Sequence, residues 1–261
     1  MLEERCDAQL LVLFELDERA IDNFGEALEK SGHIKAASLP GTKIHIEAEW
    51  DGLEGYVGAM RKLYRRAVRD DQAKAQELDI QIETDFAELA DEVFVLYSNV
   101  LARAQSTFET LTPEFFRAFA RCADSRLVTA RLKETGQLIG VEMLLLGDNM
   151  VQDLYTGVDY LYNESHNVYF NLAYPAIDLA CREGMQFVST GQTSYKFKSR
   201  LGVKPFQLSV YIKHRNLFVN ALLSRLHPFI CPEVPTFEHR VFKSEAHHVN
   251  TAAKSKEQKN S

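Results

Sequence analysis

Residues 155–202 read YTGVDYLYNESHNVYFNLAYPAIDLACREGMQFVSTGQTSYKFKSRLG, and this stretch decides the architecture. Tyr155-Thr156 ends an apolar run, and Gly157-Val158-Asp159 turns the chain. Apolar residues then predict one long helix over about 165–183, stopped by Gly184. Pro175 lies inside that span and either kinks the helix or marks its true start. A short strand is expected at Gln186–Ser189 and, after Gly191, a short helix over Thr193–Arg200.

Outward from this stretch the pattern continues on both sides. Upstream, the apolar runs Arg126–Arg131, Gln137–Leu146 and Val151–Thr156 are joined by Glu134-Thr135-Gly136 and Gly147-Asp148-Asn149, which are hairpin turn sequences. They predict an antiparallel meander. A long amphipathic helix over 86–104 precedes it, and Thr112-Pro113-Glu114 starts another helix, a capping residue followed by Pro. Downstream, Phe206–Ile212 alternates as a strand, and Leu217–Leu226 is apolar enough to dock as a helix.

The first 84 residues read strand (9–16), helix capped by Asp17, strand (Lys43–Glu47), long helix opened by Asp51, and strand (78–82). This is expected to form a partial N-terminal lobe over 1–84, beside a complete domain over 85–228. The segment 229–261, polar and Lys-rich at its end, is expected to be an extended, largely disordered tail.

The chain has 261 residues, 46% hydrophobic and 26% charged, which suits a soluble globular protein. Its net charge of −7 argues against a general DNA binder, which needs excess Lys and Arg to displace counterions. Cys6, Cys122, Cys181 and Cys231 lie far apart, the pattern of reduced thiols in a cytoplasmic protein; Cys122 and Cys181 are expected in the core. The His spacing matches no metal motif, so no metal site is expected. No apolar run reaches the roughly 18 residues of a membrane helix.

The order helix, helix, meander, helix, strand, helix, strand from Glu88 onward is that of a GNAT N-acyltransferase, an α/β fold. The segments Tyr155–Tyr160, Tyr169-Phe170-Asn171-Leu172, Ala176-Ile177-Asp178, Gly191-Gln192 and Tyr195–Gly202 resemble the C-terminal half of the BioF2-like acyltransferases. These are similar in turn to the FemABX transferases, which carry two GNAT-like domains in tandem. The resemblance covers about 85–212; over 9–83 it is carried by Tyr56, Met60 and Tyr64-Arg65-Arg66 with Arg69. Relative to such proteins the first domain starts partway in.

What the resemblance implies is N-acyl transfer to an amine on a small-molecule or cell-envelope acceptor. The donor is acyl-CoA as co-substrate, with no tightly bound cofactor, or aminoacyl-tRNA as in FemABX proteins. The Gly-rich turn that seats the acyl-CoA diphosphate in GNAT enzymes is missing between Thr156 and Ser165. A non-catalytic module that keeps the fold therefore stands as a rival reading. By resemblance Lys198 sits near the reacting acyl group, with Phe197 packing beside it; a fixed cation there stabilises the oxyanion of the tetrahedral intermediate. Tyr195, Lys196, Phe197 and Arg200 are the candidate donor-binding residues, and Gln192 is a candidate to orient substrate.

Tyr155, Asp153 and Asp159 end the meander, where a carboxylate can take the proton of an attacking amine. Tyr155 and Asp159 are thus the other candidate catalytic residues. Glu142, in an apolar strand, is expected buried and paired. Arg65, Arg66 and Arg69 are candidate contacts for a phosphate-bearing substrate, or else ion-paired surface residues near Asp70 and Asp71.

Overall fold

The meander predicted over 126–156 is present and forms three strands of a seven-stranded sheet. The computed structural model describes residues 8–104, 109–192, 194–226 and 239–244. The strands are β1 (Leu10–Leu16), β2 (Ile34–Ala37), β3 (Gly41–His45), β4 (Leu78–Glu83), β5 (Ser125–Leu132), β6 (Leu138–Leu146), β7 (Met150–Val158), β8 (Phe187–Gly191), β9 (Lys204–Phe206) and β10 (Ser209–His214). The helices are α1 (Glu18–Lys30), α2 (Leu53–Ala59), α3 (Lys62–Lys74), α4 (Ala90–Leu101), α5 (Pro113–Phe119), α6 (Tyr160–His166), α7 (Val168–Arg182), α8 (Tyr195–Lys198) and α9 (Leu217–Leu226).

The large sheet has the order β4-β5-β6-β7-β8-β3-β9, and only the β7–β8 pair is parallel. A small antiparallel sheet, β1-β10-β2, stands apart from it. The stretch expected to be a separate lobe is thereby divided. β3 and β4 are strands of the large sheet, and α2 and α3 pack with α7 on one of its faces. Residue 84 is no boundary, because the apolar sides of β3 and α2 (Ile44, Tyr56, Val57) lie in the same core as Leu172 and Ile177 of α7. The opposite face carries a second core, where α4 and α5 cover Leu127, Val141 and Met143.

Asp17 caps α1 as predicted, accepting from Ala20 N at 2.8 Å, and Pro113 opens α5. Elsewhere the helices are shorter than the periodicity suggests. The span opened by Asp51 breaks at Met60-Arg61, whose backbone is extended. Met60 pairs there as an isolated bridge with Phe242, and Arg61 N donates to Val241 O at 2.8 Å. Val241 and Phe242 are buried, and the Phe242 ring lies 5.2 Å from Trp50 and 5.7 Å from Tyr56. This part of the expected tail is therefore ordered core; 229–238 and 245–261 lie outside the described residues.

The expected helix over 165–183 is two, broken at Asn167 in the left-handed region (φ 45°). Pro175 stands inside α7. The expected last strand is also two short ones, β9 and β10, in different sheets. α9 forms, yet it buries none of its residues, and Leu217 and Phe218 are exposed. Cys181 is buried as expected, but Cys122 falls just past α5 and is exposed.

Candidate functional site

β7 and β8 run side by side only from Met150↔Phe187 to Gln152↔Ser189. Beyond that point β7 continues to Val158 on β6, while β8 turns away, so a gap opens between Asp153 and Thr190. Two residues in the left-handed region, Gly191 (φ 65°) and Ser194 (φ 49°), reverse the chain and fold α8 back over the end of β8. The Lys198 side chain then reaches back to the end of β8.

Lys198 is buried, contrary to the alternative of a solvated basic face. Its Nζ donates to the Thr190 carbonyl in a short contact and to the Gln192 carbonyl at 2.8 Å. An ammonium has three donors, and among the described residues these two carbonyls take two of them. Burial lowers its pKa, and the nearby Asp153 and Glu142 charges oppose that shift.

The turn is fastened to residues 38–42. Thr42 and Thr190 hydroxyls are 2.8 Å apart, and Thr42 Oγ1 also donates to Gly191 O. Gln192 Nε2 donates to Leu39 O and Ser38 Oγ, and Tyr195 OH to Pro40 O at 2.8 Å. Gln192 and Tyr195, expected to meet substrate and donor, thus also hold the turn. Lys196 is exposed. Phe197 packs against Tyr169 and Phe170, at 4.4 and 4.1 Å between ring centroids.

Arg200 is partly exposed, its guanidinium 4.0 Å over Phe170 and 3.4 Å from Asp71. Asp71 is a buried carboxylate of α3 that the sequence does not single out, because its neighbour Asp70 reads the same and is exposed. It also accepts from Asn167 Nδ2 and Tyr174 OH, each at 2.7 Å. Removing one donor to a buried charge costs about 1.5–3 kcal/mol. Tyr174→Phe is therefore expected to lose that much in denaturant unfolding, and a change within error would show that Asp71 does not depend on it.

Two of the candidate catalytic residues are not brought to Lys198. The β6–β7 register passes from Met143↔Tyr155 to Leu144↔Asp153, leaving Leu154 as an extra bulged residue. The bulge turns Tyr155 onto the α4–α5 face with Leu154. There its hydroxyl donates to Glu109 at 2.8 Å, and burial with that contact raises its pKa. Asp159 caps α6, accepting from Leu161 N at 3.0 Å.

Asp153, by contrast, falls on the face that carries Lys198, and so does Glu142. The two carboxyls are neighbours on this face, since Glu142 is the register partner of Thr156 and Asp153 that of Leu144. Burial raises both pKa values, Glu142 the further, with the Asp153 charge adding to the shift. The pairing expected of Glu142 is thus present, and its partner is the strand neighbour the bulge supplies. Burial raises the pKa of the Tyr169 hydroxyl, and the Glu142 and Asp153 charges add to the shift.

Cavities lie on both faces near the gap. One of ≈ 1360 Å³ is bounded by α1 and β2 and floored by Gln152, Ser189 and Gly191. The other, ≈ 580 Å³, is lined by Arg103, Tyr160, Asn163, Tyr169, Ser194 and Phe197. Beside the latter the Asp159 carboxylate caps α6, and Asn163 Oδ1 accepts from Tyr169 N at 3.1 Å.

On α3, Arg66 pairs with Asp70 at 3.7 Å and Arg69 with Glu54, all exposed. Arg65 is partly buried. Among the described residues no group of His, Cys, Asp and Glu is placed to hold a metal ion, and no helix is long and apolar enough to cross a membrane.

Residues 58–199 match the acetyltransferase (GNAT) domain family. The sequence matches none of the curated proteins compared with it. Among solved structures the chain is similar to FemX, with a TM-score of 0.60 and 11% identity over 85% of this chain and 76% of that one. It is also similar to the C-terminal domain of a putative lysylphosphatidylglycerol synthetase from Agrobacterium fabrum, with a TM-score of 0.54 and 10% identity over 84% and 71%. L-PGS from Bacillus licheniformis gives a TM-score of 0.51 and 10% identity over 83% and 72%. At such identities the likeness is one of fold.

Proposed function

The chain belongs to the acetyltransferase (GNAT) domain family, and on that premise we propose that it moves an acyl group from acyl-CoA or aminoacyl-tRNA to an amine on a small-molecule or cell-envelope acceptor. The observation that carries this reading is the gap between β7 and β8 with the Lys198 ammonium in its wall. The acceptor nitrogen attacks the acyl carbonyl; a C–N bond forms and the carbonyl electron pair moves to oxygen. The remaining Lys198 donor stabilises that oxyanion. Asp153 accepts the proton of the attacking nitrogen. Collapse of the intermediate breaks the bond to the thiol or ribose oxygen, which leaves and is protonated.

A second reading, a binding module without turnover, draws on one observation, the Asp159 side chain capping α6 in the segment that lacks the Gly-rich diphosphate turn of GNAT enzymes. Incubation with a panel of acyl-CoAs and aminoacyl-tRNAs and with mixed amine acceptors, read by mass spectrometry, separates the two. Transfer from one donor class is expected. Binding of donors with no product from any of them would move the assignment to the module.

Phosphates of either donor suit the outer face of α3. Replacing Arg65 and Arg66 by Ala is expected to weaken donor binding and flatten its salt dependence. Stability should change by less than about 1 kcal/mol, because the Arg66–Asp70 pair is exposed. Titrations at two salt concentrations decide it; an unchanged slope would retire the contact.

A further inference from the structure

The residue that the chemistry above leaves unused is Glu142. It lies on β6 among apolar neighbours, 3% exposed, where a lone carboxylate would be costly. Its register partner is Thr156, and the bulge at Leu154 sets Asp153 beside it on the same face. Regular alternation would have put Asp153 on the side of Tyr155, away from both Glu142 and Lys198. Two carboxyl groups set side by side on one buried face share a proton, since both ionised would repel each other.

We propose that Glu142 is a positioning residue: kept protonated, it hydrogen-bonds Asp153 and confines the site's single negative charge to the carboxylate that faces Lys198. The groups facing Glu142 are Asp153 and Thr156 on β7, Lys198 on α8 and the Tyr169 hydroxyl on α7. With one proton between two carboxyls, their charge of −1 balances the ammonium. With none, the site would carry an excess negative charge where a second is least tolerated. Glu142 thus orients Asp153 and keeps it ionised beside the gap without touching substrate. The inference deepens the acyl-transfer reading, since Asp153 and Lys198 are the groups assigned to the reaction.

The sign of its pH dependence follows from the direction of the shift. The folded pKa of Glu142 lies above the ordinary 4.5. Its contribution to stability is then fully present below 4.5 and is lost as pH climbs through the folded value. Infrared spectra of the whole chain at neutral pH test the proton directly. A protonated-carboxyl band is expected in the wild type and is expected to vanish in Glu142→Gln. Absence of that band from the wild type, or its persistence in Glu142→Gln, would overturn the proposal.

Melting temperatures across the alkaline side give a second readout. Glu142→Gln, which keeps a donor toward Asp153, is expected to melt with a flatter pH dependence than wild type. Where that variant fails to fold, the wild-type band still decides. With a donor turned over by the wild type, Glu142→Gln should keep its kcat, whereas Glu142→Ala should lose about tenfold or more, the effect of one pK unit. A chain that shows the band and transfers no acyl group would retain the proton assignment and fail the acyl-transfer reading instead.

Discussion

Lys198→Met is expected to lower acyl transfer by about 100- to 1000-fold, the usual loss when one oxyanion donor is removed. Its Nζ stands at the mouth of the β7–β8 gap with two donors spent on the Thr190 and Gln192 carbonyls. From its sequence setting such a lysine reads as one whose loss leaves folding untouched. Burial changes that expectation. Taking the ammonium away strands the two carbonyls it holds, and losing hydrogen bonds to a charged donor costs about 1.5–3 kcal/mol each.

Methionine keeps most of the buried stem, so it separates the loss of charge from the loss of packing better than Ala does. Lys198→Arg should also be slow, because a planar fork cannot meet the two carbonyls as a point charge does. The measurement is kcat at saturating donor, well below the melting temperature of each variant, beside a thermal melt. Wild-type turnover in a folded Lys198→Met would sink the assignment.

Phe242→Ala is expected to cost about 3–5 kcal/mol in unfolding free energy, the range for truncating a buried aromatic. The ring packs on Trp50 and Tyr56 and covers Gly202. A Cβ at Gly202 would meet the Phe242 ring, and its φ of +77° already favours glycine. The same segment interrupts the long helix, since Met60 and Arg61 pair with Phe242 and Val241. Losing the ring therefore loosens the junction of α2 and α3 together with the end of the α8 turn. Equilibrium denaturation of both proteins gives the figure; a loss below about 1 kcal/mol would mean that the segment is merely laid on the surface.

Period and turn chemistry make the meander, α1, α5 and the crossover from β7 to β8 legible before any coordinates. What periodicity cannot show is a break imposed from a distance. Met60 and Arg61 lie within an unbroken apolar rhythm, and only a strand-like pairing with residues 181 positions away unwinds them. β2 and β9 are short, and their partners β10 and β3 are remote in sequence, so local pattern is a weak guide to both. The short helix that carries Lys198 is legible from the sequence around it. The proximity of Asp153, and the retreat of Tyr155, depend on one extra residue at Leu154 that alternation alone does not reveal.

The position of β3 bears on how the protein is made. Its five residues come early in the chain, yet they lie between β8 and β9, with the Thr42–Thr190 contact spanning 148 positions. Pairings of such separation close large loops and form slowly. During synthesis residues 41–45 emerge long before either neighbouring strand exists, and until then they present two bare edges. The turn that carries Lys198 thus closes only after the meander, and a ribosome that stalls before Gly191 leaves β3 unpaired.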